Sequence, residues 1–317
     1  MVPKESEWTT VAHKRALEKN SHISFPYLKY PSLRDSGFKD PVQWLSGKVL
    51  DDGAEGLWRV HDKLYDFTRF MKKHPGGEEW LELTKGTDIT EAFESHHLNP
   101  STEKLLAKFY IRNAQTPRNS PFTFKDEGFY RTLKRAVYEE LRNIPKDAYR
   151  STERITDGLL ILLLFSSTIA CWVTNYWMSV LCYIFAAVSL ALLTVTCHNF
   201  IHRRTNWRML LFNMSMWSYR NETPDWGEHQ VEALLDRKDI NGNTFAVATL
   251  FGDHALHHMF PTLDHAVLKY LHPIFIEHCV KFKANYRVST QFHLVVGQFR
   301  EIMRTTYKTR DERNNIM

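Results

Sequence analysis

Trp58-Arg59-Val60-His61-Asp62-Lys63-Leu64-Tyr65-Asp66-Phe67-Thr68-Arg69-Phe70, then His74-Pro75-Gly76-Gly77, then Gly86-Thr87-Asp88-Ile89-Thr90-Glu91-Ala92-Phe93-Glu94-Ser95-His96-His97: this stretch decides how the chain is read. His74 can present a ring nitrogen to a metal. Pro75 fixes φ and stiffens the turn behind it. Gly76 and Gly77 permit backbone angles and a close approach that a Cβ would block. A second histidine lies more than twenty residues on, far enough to reach the opposite face of a flat cofactor. The pattern suits a haem held between two imidazoles. Such an iron has no open position for oxygen, so it passes electrons.

The stretch resembles the cytochrome b5 family. The likeness rests on Trp58, on Tyr65 to Phe70, on His74-Pro75-Gly76-Gly77 and on Gly86 to Phe93, and it runs from about residue 42 to 113. It implies haem b, with His74 as one axial ligand. Family members fused to desaturases, aligned on Asp88 and Phe93, select His97 as the other ligand, with His96 as the alternative. The resemblance also implies an electron donor of the cytochrome b5 reductase type. Glu78, Glu79, Glu82, Asp88, Glu91 and Glu94, against the single Lys85, read as an acidic rim that would steer a basic redox partner.

The 317 residues allow two or three domains. A net charge of +5 is mild, and no Lys/Arg block interleaves with aromatics, so nucleic-acid binding is not expected. The opening Met1 to Glu7 is charged and has no apolar core, so no cleaved leader is expected. Cys171, Cys182, Cys197 and Cys279 form no Cys-x-x-Cys pair and read as thiols in a reducing compartment. Residues 1–41 read as an irregular arm that packs on the haem domain through Phe25, Tyr27, Leu28 and Tyr30. Residues 114–157 read as a linker with one amphipathic helix. Its stripe of Phe129, Leu133, Val137 and Leu141 faces either protein or the membrane interface, and it stops before Pro145.

The 40 residues from Gly158 to Cys197 contain no Asp, Glu, Lys, Arg or His. As one helix they would run ~60 Å, twice a bilayer core. Two spans at about 158–174 and 176–197, turning near Thr174-Asn175, fit instead. Trp172, Tyr176 and Trp177 would form an aromatic belt at the far side. Arg150 and Arg154 precede the hairpin, and Arg203, Arg204 and Arg208 follow it. Both termini and the haem domain are therefore expected on the cytosolic side.

His198-Asn199-Phe200-Ile201-His202 stands at the end of the second span, and His254-Ala255-Leu256-His257-His258 comes later. Histidines at i, i+3 and i+4 share a helix face and suit iron. These boxes, with Gly252-Asp253 before the second and Met259-Phe260-Pro261-Thr262-Leu263-Asp264-His265 after it, resemble the membrane fatty-acid desaturases. The order of parts resembles a cytochrome b5–desaturase fusion, among them the insect cytochrome b5-related proteins. That implies an endoplasmic reticulum membrane, lipid metabolism and a fatty-acyl substrate for a two-iron centre.

The resemblance breaks between residues 203 and 253, where a middle box and a second pair of spans would stand. Only His229 occurs there, in Trp226-Gly227-Glu228-His229-Gln230, and His265 and His272 are further imidazoles nearby. The expected architecture is an α+β haem domain at 42–113 followed by an α-helical, two-pass, truncated desaturase-like membrane domain at 158–317. The expected function is membrane-anchored electron transfer, with the non-haem iron site incomplete. The competing readings are an active two-iron desaturase or hydroxylase, and a non-catalytic structural membrane protein.

Overall fold

The computed structural model describes residues 41–120, 122–201 and 225–303. Its first part is a small α+β unit. Helix α1 (Pro41–Asp52) leads into strands β1 (Trp58–Val60) and β2 (Lys63–Tyr65). These pair antiparallel, with Trp58 opposite Tyr65, and β3 (Tyr110–Asn113) joins the other edge of β2. Only His61 and Asp62 link β1 to β2. His61 takes a left-handed φ of 54°, as such tight hairpins require. The short helices α2 (Glu78–Leu83), α3 (Thr90–His96) and α4 (Pro100–Leu106) close the unit. Its core is Trp58, Val60, Tyr65, Phe67, Leu81 and Phe93. The Trp58 indole is fully buried and donates to the Leu81 carbonyl at 2.8 Å, which ties the sheet to α2.

The second part is helical. It comprises α5 (Phe129–Glu140), α6 (Ser151–Trp172), α7 (Tyr176–Ile201), α8 (Trp226–Ala233), α9 (Thr244–Leu250), α10 (His254–Met259), α11 (His265–Phe282) and α12 (Gln291–Ile302). Two residues each of β4 (Asp236–Arg237) and β5 (Val288–Ser289) pair in parallel. The apolar stripe of α5 is settled by packing. Phe129, Leu133 and Val137 are fully buried against Leu268, Leu271 and Phe275 of α11, so that face meets protein and not lipid.

The hairpin forms as expected, but its helices outrun the uncharged window. The first starts at Ser151, inside the expected linker, and the second continues to Ile201. The reason is tertiary packing of the polar turns. Thr152 and Thr156 are buried against protein, the Thr152 hydroxyl bonds to Asp264, and Arg154 pairs with Asp147. These polar turns therefore stay helical outside the apolar stretch. Val173 to Asn175 make the turn, and Asn175 Oδ1 accepts from Met178 N at 3.1 Å. Both helices are long and apolar enough to cross a membrane, and Ile161, Phe165, Tyr183 and Ile184 lie exposed along them.

The residues after β3 do not hang free. Arg118 bonds to Asp88 and Glu91, each at 2.6 Å, and the Arg59 guanidinium donates to Thr116 O at 2.8 Å.

Candidate functional site

His74 ends a short 3-10 turn, Met71–Lys73, that Phe70 enters from β2. Its Nδ1 lies 2.8 Å from Gly77 O. A carbonyl only accepts, so that nitrogen carries the proton and Nε2 keeps its lone pair. The glycines are needed here. A Cβ on Gly76 would stand 2.9 Å from His74 Cε1, and Gly77 has φ of 107°. Phe70 flanks His74 at 5.9 Å and packs on Phe109 at 4.9 Å.

His97 caps the end of α3. Its Nδ1 lies 2.9 Å from Phe93 O, which sets the same tautomer, and the Phe93 ring stacks on it at 4.6 Å. Burial draws its pKa down to about 4, so the ring is neutral near pH 7. The His74 and His97 ring centres are 6.2 Å apart. Two imidazoles bound to one metal at ~2 Å each, from opposite sides, put their centres at about that separation. His96 stands exposed, with its Nδ1 2.9 Å from Ser95 Oγ and 3.0 Å from Ala92 O. His97 is the ring that faces His74.

The acidic rim is only partly a surface. Glu94 is fully buried and binds His61 at 2.7 Å, Lys134 at 2.8 Å and the Arg131 guanidinium. Burial alone would raise its pKa. The His61 hydrogen bond and the Lys134 and Arg131 charges override that and hold it well below the usual carboxylate range. Asp88 and Glu91 are taken up by Arg118. α3 turns Glu94 toward α5, while Arg118 of the segment after β3 covers Asp88 and Glu91. Glu78, Glu79 and Glu82 on α2 are left as the acidic surface.

The two histidine boxes meet. His198 lies 5.0 Å from His257, and His257 lies 4.5 Å from His265, centre to centre. Asn199 of the first box latches them, with its Oδ1 accepting from His265 N at 3.1 Å and its Nδ2 reaching Asp264 at 3.4 Å. His254 and His258 pair with each other, Nε2 to Nε2 at 3.0 Å. Burial lowers both pKa values, His258 to about 4, so one neutral ring donates and the other accepts. Asp236 is buried and holds the start of α10 through His254 N at 2.8 Å. Gly252 is required just before, since a Cβ there would stand 2.8 Å from Val247 Cγ2.

His202 lies outside the described residues. His229 is buried on α8 with its ring on Phe122 at 4.9 Å, beside the linker. His272 Nδ1 lies 3.0 Å from Asp253 Oδ1 as an ion pair, and that contact raises the His272 pKa. Among the described residues, no three or more His, Cys, Asp or Glu side chains are arranged to hold a metal ion.

One residue escaped the sequence reading. Tyr130 is fully buried, and its hydroxyl lies 3.0 Å from Glu94 O and 3.2 Å from Met259 O. It joins the helix that ends at His97 to the helix that carries His257 and His258. The signal was present: Tyr130 and Lys134 form an i, i+4 row beside the apolar stripe of α5.

A model of the cytochrome b5-like haem/steroid binding domain matches residues 46–115, and one of the fatty acid desaturases matches residues 87–290. The "Cytochrome b5-related protein" of Drosophila melanogaster is 28% identical over 415 aligned positions, covering 87% of this chain and 94% of that protein. The protein of the same name from Drosophila virilis is 47% identical over 131 residues, 41% of this chain and 91% of the relative. "Probable Delta(5) fatty acid desaturase C" of Dictyostelium discoideum is 33% identical over 148 residues, 45% of this chain and 30% of that one. The first alignment is longer than this chain's 317 residues, so that relative carries a long segment with no counterpart here. With the desaturase match spanning well over half its length behind a cytochrome b5-like domain, the chain belongs to the fatty acid desaturase family.

Proposed function

We propose that this chain is a membrane-anchored haem protein that carries electrons for lipid metabolism, with His74 and His97 as the axial ligands of haem b. The observation that carries the reading is the ring pair: centres 6.2 Å apart, each Nδ1 tied to a backbone carbonyl, each Nε2 left for a metal. Haem iron closed by two imidazoles supplies one-electron transfer and no oxygen chemistry. The chain's residues do the rest. Gly76 and Gly77 let the turn close around His74, and Phe70 and Phe93 pack against the His74 and His97 rings. Glu78, Glu79 and Glu82 offer an acidic surface to a donor of the cytochrome b5 reductase type.

In this reading the haem domain spans 42–113, the linker 114–157 and the membrane domain 158–317. The hairpin α6–α7 crosses the endoplasmic reticulum membrane, with both termini and the haem domain cytosolic. The segment missing relative to the Drosophila melanogaster protein falls between residues 203 and 253. The test is an absorption spectrum of purified protein beside a metal count. A low-spin haem band lost in His74→Ala, with iron equal to haem, supports the reading. Its absence leaves a structural membrane protein.

A second reading, an active two-iron desaturase, is favoured by the meeting of His198, His257 and His265. Iron in excess of haem and new unsaturated lipids would mark it.

A further inference from the structure

The last described helix presents an apolar stripe to the outside. Phe292 is 71% exposed, Val295 37% and Phe299 61%, and Met303, one residue past the helix, is 70% exposed. At 100° per residue these four positions fall within about 80° of one another. Large apolar side chains in a row of this kind mark a contact surface and not scattered exposure. The helix start is pinned. Gln291 N donates to Asp239, 3.0 Å to either carboxylate oxygen, and Leu294 N donates to Thr290 O at 3.1 Å. The stripe is therefore presented in a set place.

That place lies beside the membrane-facing end of the chain. Asp239 stands just before α9, and α9 packs on both hairpin helices α6 and α7. Phe251, at the end of α9, touches His198 at 5.2 Å. His198 is where the uncharged run of α7 stops, so α9 sits at the level where that helix leaves the apolar layer. Phe245 on α9 is also 49% exposed there. The sequence after the stripe carries Arg304, Lys308, Arg310 and Arg313 against Asp311 and Glu312, a basic excess suited to phospholipid headgroups.

We propose that α12 lies in the plane of the bilayer surface, with Phe292, Val295, Phe299 and Met303 seated at the boundary of headgroups and acyl chains. A helix with one apolar row and flanking basic residues binds in that manner. The proposal rests on the reading that α6 and α7 cross the membrane. It gives the protein a third, interfacial contact that fixes the tilt of the histidine-bearing part over the lipid.

The test places an environment-sensitive fluorescent amino acid at position 299, at 300 on the polar side, or at 165 on the hairpin. The full-length protein is reconstituted in phosphatidylcholine vesicles. Brominated acyl chains report lipid contact and aqueous iodide reports exposure. The expected result is bromolipid quenching at 165 and 299, with iodide quenching at 300. Quenching at 165 by bromolipid but at 299 by iodide overturns the proposal and leaves the membrane hairpin standing. Iodide quenching at both 165 and 299 removes the hairpin reading as well. Protection of 299 from both quenchers, lost on dilution with empty vesicles, replaces lipid by a second copy of the chain and also overturns it.

Discussion

Two histidine pairs, one in each half of the chain, are posed in opposite ways. His74 and His97 stand 6.2 Å apart, and each turns its proton toward a carbonyl of its own segment. Both lone pairs are left for a metal between the rings. His254 and His258 stand 4.5 Å apart and use their Nε2 atoms on each other. The difference teaches where a metal site gets its shape. In the first pair the tethers are Gly77 O and Phe93 O, three and four residues from the rings they hold. In the second, the partners must come from α7, α10 and α11, brought together by the Asn199–Asp264 latch.

The largest expected effect breaks the first pair. His74→Ala removes one axial ligand and should abolish the low-spin haem spectrum entirely, since six-coordination needs both imidazoles. His97→Ala should do the same and His96→Ala should leave the spectrum intact. The reverse result for His96 and His97 would reassign the distal ligand.

Next is the second cluster. Metal affinity depends on ligand count and a preformed set of donors. The purified chain should hold one iron per haem. In a desaturase-deficient host with an intact reductase, the expected fatty-acid profile is unchanged. New unsaturated or hydroxylated products that vanish with His257→Ala would show that the boxes complete a working site and would promote the enzyme reading.

The sequence made the first pair legible because its determinants are local. A proline, two glycines and an aromatic four residues before a histidine are visible without a fold. The hairpin was legible for the same reason, though its polar ends were not, because Thr152 finds Asp264 more than a hundred residues away. Glu94 was misread for want of that long-range knowledge. Among its neighbours it is one acid in an acidic run, and only the docking of α5 makes it internal. The meeting of the two boxes across the break was likewise beyond any local pattern.

Glu94 offers a sharper handle on the junction of the two regions. Removing one partner of a buried ion pair leaves the other charges uncompensated, at a cost of roughly 3 kcal/mol or more. Glu94→Gln should lower the thermal midpoint of the whole chain by several degrees while leaving the haem spectrum intact. The pH dependence has a definite sign. The folded pKa is depressed below the unfolded value of about 4.3, so the carboxylate stabilises above that pH and the contribution fades as pH falls below it. Unfolding followed from pH 6 down to pH 3 should show this acid loss in the parent and not in Glu94→Gln. Equal acid slopes would mean that the Lys134 and Arg131 contacts do not persist in solution.

The smallest expected effect falls on Tyr130, the residue that touches both regions. One hydroxyl has one proton, so it donates to Glu94 O or to Met259 O, or shares the proton between them. Both carbonyls end helices that carry histidines, and α3 has its own bond from His97 N to Phe93 O at 3.2 Å. Tyr130→Phe keeps the ring, which packs on Trp226 at 4.7 Å and Phe260 at 5.8 Å, and deletes only the donor. The cost should be about 1–2 kcal/mol, the loss of one buried hydrogen bond. Because His74 and His97 are tethered within their own segments, the haem spectrum should not move. His257 and His258 precede Met259 directly, so amide exchange along α10 should quicken by roughly tenfold, as ~1.4 kcal/mol of lost protection gives. Slowed or unchanged exchange on α10, beside faster exchange on α3, would place the Tyr130 proton on Glu94 O and make the hydroxyl part of the haem side alone.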